Sequence, residues 1–165
     1  MGRIGTLLGG IGIAALMLCV TLTAAVPVRA QESCWNSATL RAAKVRDLQT
    51  LLMVGALQCR ARQPEALSRY NEFVRTHRDA ISAHNDVLKA HFLAGDGVAV
   101  GQRAYDRFTT MLANGHAANA SGPGFCDAVA SLAAEAGRAS ASGLERLAES
   151  MMLSTRVGQS CEVGR

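Results

Sequence analysis

Between Ile4 and Val28 the chain carries no charged side chain. That gap lies behind a lone early cation, Arg3, and ahead of Val28-Arg29-Ala30 and the polar Gln31-Glu32-Ser33. The order is that of a secretory signal peptide: a positive start, an apolar stretch and a small-x-small cleavage site. Pro27 helps end the apolar helix just before that site. The run reaches the ~20 residues of a membrane anchor, but glycines break it and the junction is well formed. The sequence therefore predicts residues 1–30 as a signal peptide and 31–165 as one mature domain. Cys19 follows Leu18 rather than the small residue of a lipoprotein signal, so it belongs to the discarded segment.

The mature chain lacks charge of one sign. Without Arg3 and Arg29, 15 basic residues face 13 acidic ones. Nucleic-acid binding needs basic charge clustered on one face, so no nucleic-acid partner is expected. No stable membrane span is expected after cleavage. Proline is scarce, with only Pro64 and Pro123 beyond residue 30. Alternating apolar-polar strand segments are absent, and Ala, Leu, Arg and Glu dominate. That composition favours helices. No pair of cysteines reads as C-x-x-C, so neither a zinc ribbon nor a haem attachment motif is present. There is no nucleophile elbow, no glycine-rich phosphate loop after a strand, and no repeat at solenoid spacing. No cofactor is expected.

What is present is a series of helical patterns. The first helix starts at Asn36 or Ser37, good N-caps, and runs to about Arg62. Leu48, Leu52, Gly55, Ala56 and Cys59 form its main stripe. Arg41, Lys44, Asp47 and Gln58 fall largely off that stripe. Leu51, Met53, Val54 and Leu57 widen the apolar surface, which predicts a helix central to the fold. Pro64 suits the first turn of a second helix, and Glu65 suits its positive end. Leu67, Tyr70, Val74, Ile81, Leu88 and Phe92 carry that helix towards Ala94, with a break possible at Thr76–Asp79. Gly95-Asp96-Gly97 stops it.

A third helix spans Val98–Asn114, with Val100, Ala104, Phe108, Met111 and Leu112 inward. A loop follows to Gly124. A fourth covers Phe125–Ala136, a break falls within Gly137–Gly143, and a last helix holds Leu144, Leu147, Met151 and Met152. The expected fold class is all-α: an up-down bundle of four to five helices.

Four cysteines remain after cleavage: Cys34, Cys59, Cys126 and Cys161. An even count in an exported chain predicts two disulfides. Cys34 and Cys59 stand at opposite ends of a helix roughly 35 Å long at 1.5 Å per residue. Disulfide Cα atoms lie within about 7 Å, which excludes that pair and its complement. Bundle topology favours Cys59–Cys126 and Cys34–Cys161. Trp35, the only tryptophan, is placed to cover the second of these and plug one end of the core.

The chemical candidates are few. His77, His84 and His91 share one helix face, but a spacing of ~10.5 Å along the axis forbids one metal from joining them. They read as a partly exposed polar stripe. Tyr70, Asn71, His84, Asn85, Tyr105, Asp106, Arg107 and Asn114 are polar groups on the second and third helices that would converge on a cleft if those helices are neighbours. Otherwise they form interhelical hydrogen bonds and solvated surface. Met53, Met111, Met151 and Met152 read as core filling rather than copper ligands. No catalytic residue and no metal ligand is assigned.

Cys34-Trp35, Val45-Arg46-Asp47-Leu48-Gln49-Thr50-Leu51-Leu52-Met53-Val54, Cys59-Arg60, Tyr70-Asn71 with Phe73-Val74, and Tyr105-Asp106-Arg107-Phe108-Thr109-Thr110 with Leu112-Ala113-Asn114 resemble small exported proteins of alphaproteobacteria, of the sphingomonad kind. The resemblance covers most of the mature chain. It implies a bacterial source and export, and carries no catalytic residue across. The leading expectation is a non-enzymatic periplasmic or secreted binding or envelope-accessory protein, whose partner is an envelope protein or a small ligand. The alternatives are a small-ligand or metal carrier using the cleft between the second and third helices, and a small cell-envelope enzyme.

Overall fold

The computed structural model describes residues 35–95 and 97–151. The predicted signal peptide, Cys34 and Cys161 lie outside the described residues. Within them the chain is all helical, with six helices: α1 (Ser37–Cys59), α2 (Pro64–Thr76), α3 (Arg78–Leu93), α4 (Val98–Asn119), α5 (Phe125–Arg138) and α6 (Ala141–Ser150).

Helix α1 opens where the sequence places it. The Asn36 side chain accepts the Thr39 N–H at 2.8 Å, which satisfies one of the amides a helix start leaves free. Its breadth of apolar surface makes it the central element: α2, α3, α4, α5 and α6 all pack on it. Three clusters stack along it. At its start, Trp35, Ala42 and Ala43 meet Leu88, Phe108 and Leu112. In the middle, Val45, Leu48 and Leu52 meet Phe73, Ile81, Leu144 and Ala148. At its end, Cys59 meets Ala66, Val129 and Ala130.

That order gives the directions. α2 and α3 run back along α1, α4 returns with it, α5 descends from the Cys59 end, and α6 turns back up. The path is mostly up and down. The sequence places two breaks only as regions, and the first of them, within Thr76–Asp79, adds the sixth helix. At His77 the backbone leaves helical geometry (φ −104°, ψ 20°) and separates α2 from α3. At Ala139 it becomes extended, and the Ser140 hydroxyl accepts the Gly143 N–H at 3.1 Å to start α6.

Cys59 and Cys126 form the disulfide the topology predicts, with Cα atoms 5.5 Å apart. It joins the end of α1 to the start of α5. Trp35 does plug the opposite end, edge-on to Phe92 at 5.7 Å and tilted on Phe108 at 5.6 Å.

Three expectations are corrected. α4 continues past Asn114-Gly115 to Asn119. The local turn signal loses because His116 is held by Asp47 of α1, Ala117 carbonyl accepts from Gln58, and Asn119 caps the Gly115 carbonyl. Phe73, left off the predicted stripe of the second helix, is fully buried. It faces both α1 and α5, because α2 packs along α5 as well as α1. Val100, expected inward, is exposed, and Gly101 takes the contact instead.

Candidate functional site

The most unusual group in the interior is Asp47. It lies off the apolar stripe that the sequence pattern gives α1, yet none of its surface reaches solvent. Burying an unpaired carboxylate is costly. Here His116 of α4 supplies a partner, with Nε2 2.5 Å from Asp47 Oδ1. The imidazole is itself mostly buried. Asp47 Oδ2 has no hydrogen-bond partner. The pair joins two helices 69 residues apart in sequence and sits inside their interface. Such a dyad orients and charges an imidazole when a nucleophile stands on its other side. Among the described residues His116 bonds only to Asp47, and the contact links α1 to α4.

The sequence missed this pair. The sequence pattern sets Asp47 largely off the main stripe of α1 and makes the stretch that holds His116 a loop. The one available signal is a carboxylate between Val45 and Leu48 on a helix whose apolar surface extends beyond a single stripe.

The three spaced histidines go to three environments. His77 is buried at the α2–α3 break, its ring 5.6 Å from Phe73, and its Nε2 has no partner. His84 faces Glu145 of α6 at 3.4 Å. His91 lies against Trp35, ring centres 4.6 Å apart, and burial lowers its pKa from the usual value. The stripe is thus a set of separate contacts with α2, α6 and the Trp35 plug. Among the described residues no group of three or more His, Cys, Asp or Glu side chains is arranged to hold a metal ion.

The polar groups proposed for a cleft fall in two places. Tyr70 packs on the central cluster; burial raises its pKa, while Arg46 and Gln49 pull it down. Asn71, beside it, is exposed. Tyr105 packs on the cluster around Trp35, edge-on to Phe92 at 5.9 Å. Asp106 is exposed and accepts from Gln102 on its own helix at 2.9 Å. Arg107 and Asn114 are exposed, and Asn85 is half-buried. The structure therefore puts Tyr70 and Tyr105 in different clusters. The α3–α4 contact is closed at its tip: a Cβ on Gly101 would stand on the Phe92 carbonyl oxygen and 2.9 Å from Leu93 Cα.

The concave surface lies elsewhere, along α5. One hollow of about 370 Å³ is walled by Leu51, Phe125, Ala128, Val129, Leu132 and Met151, with Ser131 and Glu135 at its edge. A second, between α5 and α6, is bordered by Glu135, Arg138, Gly143, Arg146 and Leu147. A third, of about 420 Å³, runs between α2 and α5 past Arg69, Glu72 and Arg138. Arg69 crosses that seam and donates to the Ala130 carbonyl at 3.1 Å. Sequence reasoning missed the groove because its walls come from three helices, each residue reading as ordinary core.

Comparison with protein-family models, with curated proteins and with solved structures finds no match to this chain. Among the described residues no helix is long and apolar enough to cross a membrane.

Proposed function

We propose that the chain is a non-enzymatic binding protein of the bacterial envelope, exported, cleaved after Ala30, and working in the periplasm or outside the cell. One observation carries the reading. The buried pair Asp47 and His116 joins α1 to α4, while the hollow along α5 is lined mainly by apolar side chains. Hollows of this kind, mostly apolar with a few polar groups at the edge, are the usual form of small-molecule sites. An exported bacterial source rests on the leader pattern of residues 1–30 and on the resemblance described above.

The second disulfide, Cys34–Cys161, belongs to the same proposal. Met151 lines a hollow with Leu51, and Leu51 stands 16 residues beyond Trp35 along α1, roughly 24 Å at 1.5 Å per residue. Cys161 lies ten positions beyond Met151, and an extended chain of that length spans at most about 35 Å. The pair is within reach.

The test is native mass spectrometry of the chain purified from bacterial envelope, followed by a denatured, non-reduced mass. The expected result is a chain beginning at Gln31, four thiol hydrogens short, carrying a non-covalent adduct in the native spectrum. A full-length mass from Met1 contradicts export with cleavage. Turnover of an envelope substrate by the purified chain, lost on His116→Ala with the fold intact, contradicts the non-enzymatic reading.

A further inference from the structure

The two hollows flanking α5 and α6 share Glu135 and follow one another along the same seam. On α5, Ala128, Leu132, Glu135 and Arg138 succeed each other at steps of three or four, which places them on one helix face. Helix α6 borders the second hollow with Gly143, Arg146 and Leu147, and Met151 at its end borders the apolar one. From Ala128 to Arg138 the seam is roughly 15 Å long at 1.5 Å per residue. One end is apolar and the other is cationic.

The two arginines are exposed. Among the described residues neither Arg138 nor Arg146 forms an ion pair, the pairs present being His84–Glu145 and His116–Asp47. Arg146 folds back over the first turn of α6, its Nη2 3.8 Å from where a Cβ on Gly143 would stand. Glu135 lies at the waist between the two ends; Arg138 also borders the α2–α5 hollow with Glu72 and Arg69, and within the seam itself two positive charges face one negative. Paired guanidinium groups are suited to a carboxylate or phosphate.

We propose that this seam binds a single-chain anionic amphiphile, with its hydrocarbon tail between Leu51, Phe125, Leu132 and Met151 and its acidic head at Arg138 and Arg146. The proposal rests on the binding-protein reading and adds the ligand's chemistry. Charge complementarity selects the occupant: an uncharged apolar molecule uses only the upper half, and a cationic one is repelled by the lower. Glu135 faces the head from the same face of α5 and opposes it.

The experiment is titration of the full, oxidised chain with lauric acid below its micelle-forming range, read by calorimetry, with lauryl alcohol and a lauryl trimethylammonium salt alongside. Laurate binds at least tenfold more tightly than either. Replacing both Arg138→Ala and Arg146→Ala weakens laurate at least tenfold and leaves lauryl alcohol unchanged. Glu135→Gln tightens laurate severalfold, a gain that damage to the fold does not produce. Ala128→Trp, at an exposed position, fills the apolar end and weakens both laurate and the alcohol. Absence of laurate binding overturns the proposal, as does equal affinity for laurate and the alcohol, or indifference to the arginine and Glu135 changes. If laurate fails while chain from the envelope still carries another adduct, the amphiphile proposal falls and the binding-protein reading stands. If the chain instead turns over a substrate through His116, the broader reading falls.

Discussion

At the scale of single residues, Asp47 shows how a tertiary partner overrides a local pattern. Its neighbours Val45 and Leu48 are buried apolar residues, and helical periodicity alone turns an Asp between them outward. His116, brought by α4, makes burial tolerable. Removing one member of such a pair leaves a buried charge uncompensated, at about 3–5 kcal/mol, whereas replacing both with apolar groups is often far cheaper. His116→Ala is therefore expected to lower stability by about that amount, and Asp47→Leu with His116→Leu together to recover much of the loss in urea melts. Equal, additive losses would show that the two do not act as a pair.

His91 makes a pH prediction. Its folded-state pKa is depressed by burial against Trp35. An unfolded histidine titrates near 6.5, so as pH falls below that value the unfolded chain takes up the proton more readily, and stability drops. The contribution is present above the unfolded pKa and lost towards the lower folded one. His91→Gln should flatten this acid limb of stability as pH falls below about 6.5. An unchanged slope in thermal melts over that range contradicts the assignment.

At the scale of elements, the helix contacts are set by two small residues. Gly101 meets α3 backbone, and Gly55 of α1 meets the two methyls of Val129, which a new Cβ would approach to 2.7 Å and 2.9 Å. Backbone cannot step aside, but a valine can rotate or shift. Both alanine substitutions overpack the interface, at about 1–3 kcal/mol. Gly101→Ala should be the costlier of the two, measured by denaturant midpoint; the reverse order would mean that the α3–α4 corner is looser than described.

This is also the scale at which the sequence is most legible. Caps, Pro64 and the Gly95–Gly97 stop are written locally, so the starts of α1 and α2 and the end of α3 could be read directly. The length of α4 could not, because Asn114-Gly115 is a genuine turn signal overcome by contacts from α1. Phe73 was misjudged for a related reason: a single apolar stripe describes a helix with one neighbour, and α2 has two. The groove along α5 was invisible, since a concavity is a property of three helices jointly and leaves no periodic trace in any one.

At the scale of the whole molecule, α1 is the spine, and Cys59–Cys126 ties its end to α5 across 67 residues of chain. Closing so long a loop restricts the unfolded state, and native disulfides of this kind contribute about 2–4 kcal/mol. Cys59→Ser with Cys126→Ser should lower the denaturant midpoint accordingly while leaving helix content intact at low temperature. A double variant as stable as the parent would show that the tie constrains nothing that packing does not already hold. The outer seam of α5 and α6 is, by contrast, built from fewer shared contacts: of the other helices α6 packs chiefly on α1.

That contrast, a fixed spine with the proposed binding seam on its outside, is most directly tested by hydrogen exchange across the intact, oxidised chain with and without laurate. Exchange reports local opening element by element. Val45–Ala56 should exchange slowest and α6 fastest among the six helices, with laurate slowing the facing stretches of α5 and α6 and leaving α2 and α3 unchanged. Fast exchange in the middle of α1, or protection by laurate spread evenly over every helix, would contradict it.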